Sequence, residues 1–188
     1  MFAPDYPILT ERLLLRPFTQ DDFEDFHAIH AHPDVMRYLY DGPRDRATNQ
    51  KSLADRIPRV RIDDEDNNRL ALAMVRRDTG RMIGACMLFQ TSAEHNQGEI
   101  GYVLHPNHHR QGFGTEVAPT LLRLGFDGAK FHRITGRCDA RNVGSYRVLE
   151  RAGMRREAHL RENEFVKGEW VDELIYAMLA TEWHAAAR

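Results

Sequence analysis

In the stretch Gly101-Tyr102-Val103-Leu104-His105-Pro106-Asn107-His108-His109-Arg110-Gln111-Gly112-Phe113-Gly114-Thr115-Glu116, an apolar strand runs into a short loop and then into a glycine-rich turn that opens a helix. Such a turn lets successive backbone N–H groups converge on one small space. The positive end of the helix dipole faces the same space, so the arrangement favours an anion of diphosphate size. Gly112 and Gly114 remove the Cβ atoms that would hold phosphates away. Arg110 can add a charge-assisted contact, and Thr115 a hydroxyl. Val117 stands where a third glycine of a GxGxxG motif would be, and no GK[ST] sequence follows, so two common nucleotide signatures are absent. A glycine turn holding no ligand, or one holding a different nucleotide, would satisfy the same residues.

Upstream of this stretch, Leu13-Leu14-Leu15-Arg16 reads as a strand stopped by Pro17. Asp21 and Asp22 open a helix with Phe23, Phe26 and Ile29 on one side. His27, His30 and His32 are expected at the surface or lining a cleft. The segment from Thr48 to Ile62 is a second helix candidate, carrying Leu53, Ile57 and Val60, although Pro58 works against its last turn. Asp63 to Asn68 is acidic and polar and reads as a loop. A hairpin follows, with strands Leu70 to Val75 and Met82 to Phe89 around the turn Asp78-Thr79-Gly80. A strand from Glu99 to Leu104 leads into the glycine turn.

Downstream, Gly112 to Phe126 carries the helical stripe Phe113, Val117, Leu121, Leu124. Pro119 inside it implies a kink or an irregular first turn. Arg133 to Cys138 is a strand, and Asn142 to Ala152 is a helix closed by Gly153. Arg155 to Val166 and Trp170 to Leu179 form two long strands around Lys167-Gly168. The early meander implies antiparallel pairing, whereas the later strand-helix-strand needs a right-handed crossover and a parallel pair. The fold class is therefore α/β, leaning to α+β: one mixed, mostly antiparallel twisted sheet of about seven strands with helices on both faces.

The 188 residues, 42% hydrophobic and 29% charged, suit one ordinary folded domain. A formal net charge of −2 with interspersed signs excludes the basic face of a nucleic-acid binder. Cys86 and Cys138, far apart within apolar stretches, are expected as buried core thiols. No charged segment followed by a short apolar core marks a secretory signal, and no window approaches the ~18 apolar residues of a membrane span. The expectation is a cytoplasmic chain. The histidines around His105-Pro106-Asn107-His108-His109 have no Cys or carboxylate at ligand spacing, so no metal site is expected.

Here the sequence resembles the GCN5-related N-acetyltransferases, the GNAT superfamily. His109-Arg110-Gln111-Gly112-Phe113-Gly114 is similar to their Q/R-x-x-G-x-G/A signature, with His109 in place of Gln or Arg. Asn142 to Met154 resembles the family's N-x-x-S-x-x-x-L-x-x-x-G-F segment, with Met154 for the aromatic. Thr10-Glu11-Arg12-Leu13-Leu14-Leu15-Arg16-Pro17 is similar to the start of the ribosomal-protein, RimJ/RimL-like branch. The resemblance spans residues 8 to 180, one domain with short flexible ends.

That resemblance implies acetyl-CoA as co-substrate and a primary amine as acceptor, either a protein N-terminus or a small molecule. No metal, nucleic acid or membrane is implied. The cofactor would lie on His109, Arg110, Gln111, Gly112, Phe113, Gly114 and Thr115. Its pantetheine arm would run along Tyr102, Val103 and Leu104, where the strand splays from its neighbour, and against Asn142 and Ser145. Glu99 is the candidate base, acting through water. Ser145 is the candidate acid, with Tyr146 competing for that role. A non-catalytic acyl-CoA sensor on the same fold is the alternative, and the long C-terminal strands leave a homodimer open.

Overall fold

Every residue of Leu70-Ala71-Leu72-Ala73-Met74-Val75 is buried, with even positions packed on one side of the sheet and odd positions on the other. A strand apolar on both faces needs helices on both faces. The computed structural model, which describes residues 1–63, 66 and 68–186, supplies them. The elements are β1 (Ile8–Leu9), β2 (Leu13–Arg16), α1 (Phe23–His30), α2 (Pro33–Met36), α3 (Arg46–Arg56), β3 (Arg69–Arg76), β4 (Met82–Ser92), β5 (Gln97–Leu104), α4 (Phe113–Arg123), β6 (Arg133–Asp139), α5 (Val143–Arg151), β7 (Arg155–Val166), β8 (Glu169–Leu179) and α6 (Ala180–Ala186). They build one eight-stranded sheet in the order β1-β2-β3-β4-β5-β6-β8-β7. All neighbours are antiparallel except β5 and β6. The eighth strand is β1, whose two residues are too few to show an alternation in the sequence.

Leu70, Leu72 and Met74 meet Val117, Leu121 and Leu122 of α4 and Leu149 of α5 in the larger core. Ala71, Ala73 and Val75 meet Phe26 and Ile29 of α1, Met36 of α2 and Leu53 of α3 in the smaller one. Alanines on that second face let α1 lie close to the sheet. His30 corrects the surface expectation: only 3% exposed, it stacks on Phe26 at 4.0 Å between ring centroids. The cause is its position one turn after Phe26 and next to Ile29, on the helix stripe that faces the sheet.

Two further expectations shift. α3 stops at Arg56 rather than Ile62, because Pro58 has no N–H to offer the Ala54 carbonyl. α4 runs through Pro119 to Arg123 and then widens into a π-turn over Leu124–Gly128. Thr120 Oγ1 donates to the Glu116 carbonyl within that helix, at 3.3 Å. Of the acidic run near Asp63, Asp64 and Glu65 lie outside the described residues. Among those described, no helix is long and apolar enough to cross a membrane.

α3 begins two residues earlier than the sequence suggests because Asp45 caps it, Oδ1 accepting from the Thr48 N–H at 2.7 Å. Asp45→Ala is expected to destabilise the fold by removing this cap, seen as a lower urea midpoint at unchanged m-value.

Candidate active site

The site begins where two strands part. β5 pairs with β6 only through Gln97↔Arg133, Gly98↔Ile134 and Glu99↔Thr135, while β6 continues to Asp139 against β8. Past Glu99, no strand among the described residues pairs with that edge of β5. Residues of β5 alternate across the sheet: Ile100, Tyr102 and Leu104 pack toward α4 and α5, and Val103 packs toward α1–α3.

At the C-terminal end of β5 lies the glycine turn. Arg110 and Gly112 take positive φ, 59° and 85°, which turns the chain sharply before α4 starts. Among the described residues, no hydrogen-bond acceptor meets the backbone N–H of Arg110, Gln111, Gly112, Phe113, Gly114 or Thr115, whereas Glu116 N donates to Gly112 O at 3.0 Å. Six successive donors at the positive end of an eleven-residue helix fit an anionic group with several oxygens. A Cβ on Gly114 would come within 3.1 Å of Val148, so that glycine also sets how closely α4 and α5 pack. His109 is not aimed at these amides: its Nε2 lies 2.9 Å from the Leu104 carbonyl and closes the loop from behind. Gln111 donates back to Asn107 O at 2.7 Å, which leaves Arg110 as the exposed cation of the turn.

Across the opening stands the start of α5. Asn142 caps it, its Oδ1 accepting from Ser145 N at 3.1 Å. Tyr102 reaches over from β5: its hydroxyl donates to Ser145 O at 3.1 Å and lies 3.4 Å from Ser145 Oγ. Burial pushes the Tyr102 phenol up. It also pushes the neighbouring Cys138 thiol up to about 11, against the Ser145 hydroxyl beside it. Tyr146 packs against the core under α5, and among the described residues its hydroxyl has no hydrogen bond. The structure thus brings together Tyr102, Asn142 and Ser145, with the turn Arg110–Thr115 at the end of the same strand.

Glu99 belongs to the opposite face. It lines a cavity of about 190 Å³ walled by the residues after α2, by Arg137 to Asp139 of β6 and by the β7–β8 hairpin. Six carboxylates and four cations line it. Most are paired: Arg137 holds the buried Glu173 through two bonds of 2.7 and 2.8 Å, and Arg141 binds Asp139 and Glu169. Burial raises the Glu99 carboxyl, and this outweighs the attraction of Arg137; repulsion from Glu173 adds to the rise. The hairpin tip closes one side, where Lys167 Nζ donates to Met36 O at 2.6 Å and Arg37 O at 3.1 Å. Tyr40 adds a bond to Glu164 at 2.9 Å.

Residues from positions 12–155 match the family model described as acetyltransferase (GNAT) domain. The chain belongs to the GNAT acetyltransferases. GNAT enzymes use acetyl-CoA. This GNAT chain is 31% identical to the uncharacterized N-acetyltransferase YnaD of Bacillus subtilis (strain 168), over 94% of this chain and 99% of that protein. Its fold superposes on a GNAT-family acetyltransferase from Bacillus anthracis with a TM-score of 0.82 at 30% identity, covering 97% and 100% of the two chains. A spermidine N-acetyltransferase from Vibrio cholerae, solved with CoA and spermine, shares the fold at a TM-score of 0.77 and 20% identity, covering 92% and 98%.

Sequence reasoning alone missed Arg137, Glu173 and Cys138 around this GNAT site, and Arg12 and Glu116 beside the turn. Arg12 and Glu116 stood inside quoted motifs, but only the folded chain shows them meeting.

Proposed function

We propose that this acetyltransferase moves an acetyl group onto a primary amine that enters the cavity floored by Glu99. The observation that carries this reading is the end of β5–β6 pairing at Glu99 and Thr135, with an acidic cavity around Glu99 and the amide turn Arg110–Thr115 following the other end of β5. Acetyl-CoA supplies the activated acyl thioester. Arg110 through Thr115 would hold its diphosphate, and Tyr102 to Leu104 with Asn142 would flank its arm.

An alkyl amine is almost wholly protonated at neutral pH and is no nucleophile in that form. Glu99, held above the usual carboxylate range by burial, is the group that takes the proton, directly or through one water. Ser145 Oγ, close to the Tyr102 hydroxyl, is the proton donor on the other face. Tyr146 is the weaker candidate, because its ring is spent in packing.

The cavity is small and its mouth is narrowed by Lys167 and by Tyr40–Glu164, which favours a slender small-molecule amine. The spermidine-acetylating relative supports the same class. The Thr10–Pro17 resemblance to the ribosomal-protein branch favours a protein N-terminus, which such a mouth admits less readily.

The test offers acetyl-CoA with a panel of spermidine, spermine, aminoglycosides and short peptides, and reads free thiol. Release of CoA with at least one amine is expected. Binding of acetyl-CoA without release on any member would indicate a non-catalytic acyl-CoA module.

A further inference from the structure

Arg12, in the turn between β1 and β2, lies 99 positions before Gln111 of the glycine turn, yet it is tied to that turn. Its Nη1 donates to Gln111 O at 2.8 Å, and its Nε to Glu116 Oε2 at 2.8 Å. Its Cζ sits 4.4 Å from the centroid of the Phe113 ring. Its backbone N–H donates to Glu116 Oε1 at 2.8 Å, and the Thr10 hydroxyl donates to the same oxygen. Arg77 in turn pins this turn by donating to Thr10 O and Glu11 O at 2.8 and 3.0 Å. A Cβ built on Gly112 would lie 3.3 Å from Arg12 Nη2. That nitrogen donates no hydrogen bond among the described residues.

These contacts do two separate things. The bond to Gln111 O fixes the peptide linking Gln111 to Gly112, whose N–H is one of the six free donors. The stack on Phe113 fixes the first residue of α4. The donors are therefore prearranged, and an incoming anion is spared the cost of ordering them. The free Nη2 then places a guanidinium edge beside Gly112, where a point cation on a flexible stem would not be held. Glu116 pairs with this guanidinium through Nε at 2.8 Å, and Nη2 beside Gly112 keeps its N–H groups without an acceptor among the described residues. Burial, which raises the Glu116 carboxyl, is outweighed by bonds from Thr10 and Arg12 that hold it below the ordinary range, so the carboxylate that anchors Arg12 is ionised at neutral pH.

We propose that Arg12 is a positioning residue for the cofactor diphosphate, locking the amide cradle and presenting a guanidinium edge to it. The inference rests on the cofactor reading given above.

The test measures CoA and dephospho-CoA affinity by calorimetry for the wild type, Arg12→Gln, Arg12→Lys, Glu116→Gln and Arg110→Ala, with the ligand-free thermal midpoint of each. Arg12→Gln is expected to weaken both ligands about tenfold or more. Arg12→Lys should recover only part of that loss, and Glu116→Gln should weaken binding less than Arg12→Gln. In steady state, KM for acetyl-CoA should rise far more than kcat falls. A ligand-free midpoint that drops while affinity is kept would make Arg12 a structural tie only, and the proposal would fail. A loss seen with CoA but not with dephospho-CoA would assign Arg12 to the 3′-phosphate and overturn the diphosphate role. If Arg110→Ala weakens binding and Arg12→Gln does not, only this inference falls. If no variant changes binding, the cofactor does not lie on this turn.

Discussion

Glu99→Gln is expected to lower kcat/KM for a good acceptor amine by about 10²- to 10⁴-fold, the range of a lost general base. The substitution keeps size and shape, so packing against Phe89 of β4 and Thr135 of β6 is preserved. It removes the capacity to take a proton. Burial raises the native carboxyl while Arg137 pulls it back, so its titration lies above the ordinary glutamate value. Log kcat/KM of the wild type should therefore rise with pH through an inflection above that value, as Glu99 loses its proton and becomes a base. Glu99→Gln should lack that limb. Retention of the full limb in the variant would remove Glu99 from proton transfer, whatever the family.

The second large effect concerns stability and comes from His30. Its Nδ1–H donates to the Phe26 carbonyl at 2.9 Å and its buried ring stacks on Phe26. Burial brings its pKa down from 6.5 to about 4, helped by the nearby Arg56 and Arg44 charges. Above about pH 6.5 neither the native nor the unfolded chain holds that proton, and the full stability is present. As pH falls from 6.5 toward 4 the unfolded chain binds a proton that the native chain refuses, so stability is lost. At 1.36 kcal/mol per unit the loss is about 3 kcal/mol over this window. Urea unfolding at pH 7, 5.5 and 4.5 should show this slope in the wild type and a shallower one in His30→Leu. Parallel slopes for the two chains would show that His30 takes up its proton while folded.

How far each element could be read depended on whether its causes were local. The apolar run of β3, the turn Asp78-Thr79-Gly80 with Gly80 at φ 67°, and the Asn142 cap with Gly153 at φ 85° are local, and they stand where the residues indicated. The end of α3 was obscured because Leu53, Ile57 and Val60 continue a helical stripe past the proline that stops it. The burial of His30 depends on which way α1 turns its stripe toward the sheet, and a histidine at that position does not announce this. The turn before α4 was readable because glycines at such spacing have few other uses. Its bracing by Arg12 joins residues about a hundred positions apart and follows only from β2 pairing with β3 beside α4. The cavity was hidden for the same reason, since Lys167 and Met36 meet across 131 positions.

The most direct measurement is a ¹H–¹⁵N amide titration of the intact protein with CoA. The amides of Arg110, Gln111, Gly112, Phe113, Gly114 and Thr115 should show the largest shifts, and Ser145 and Val103 should move at the same ligand concentration. CoA binding that leaves those six signals in place, with its largest shifts elsewhere, would contradict the site from which the whole account is built.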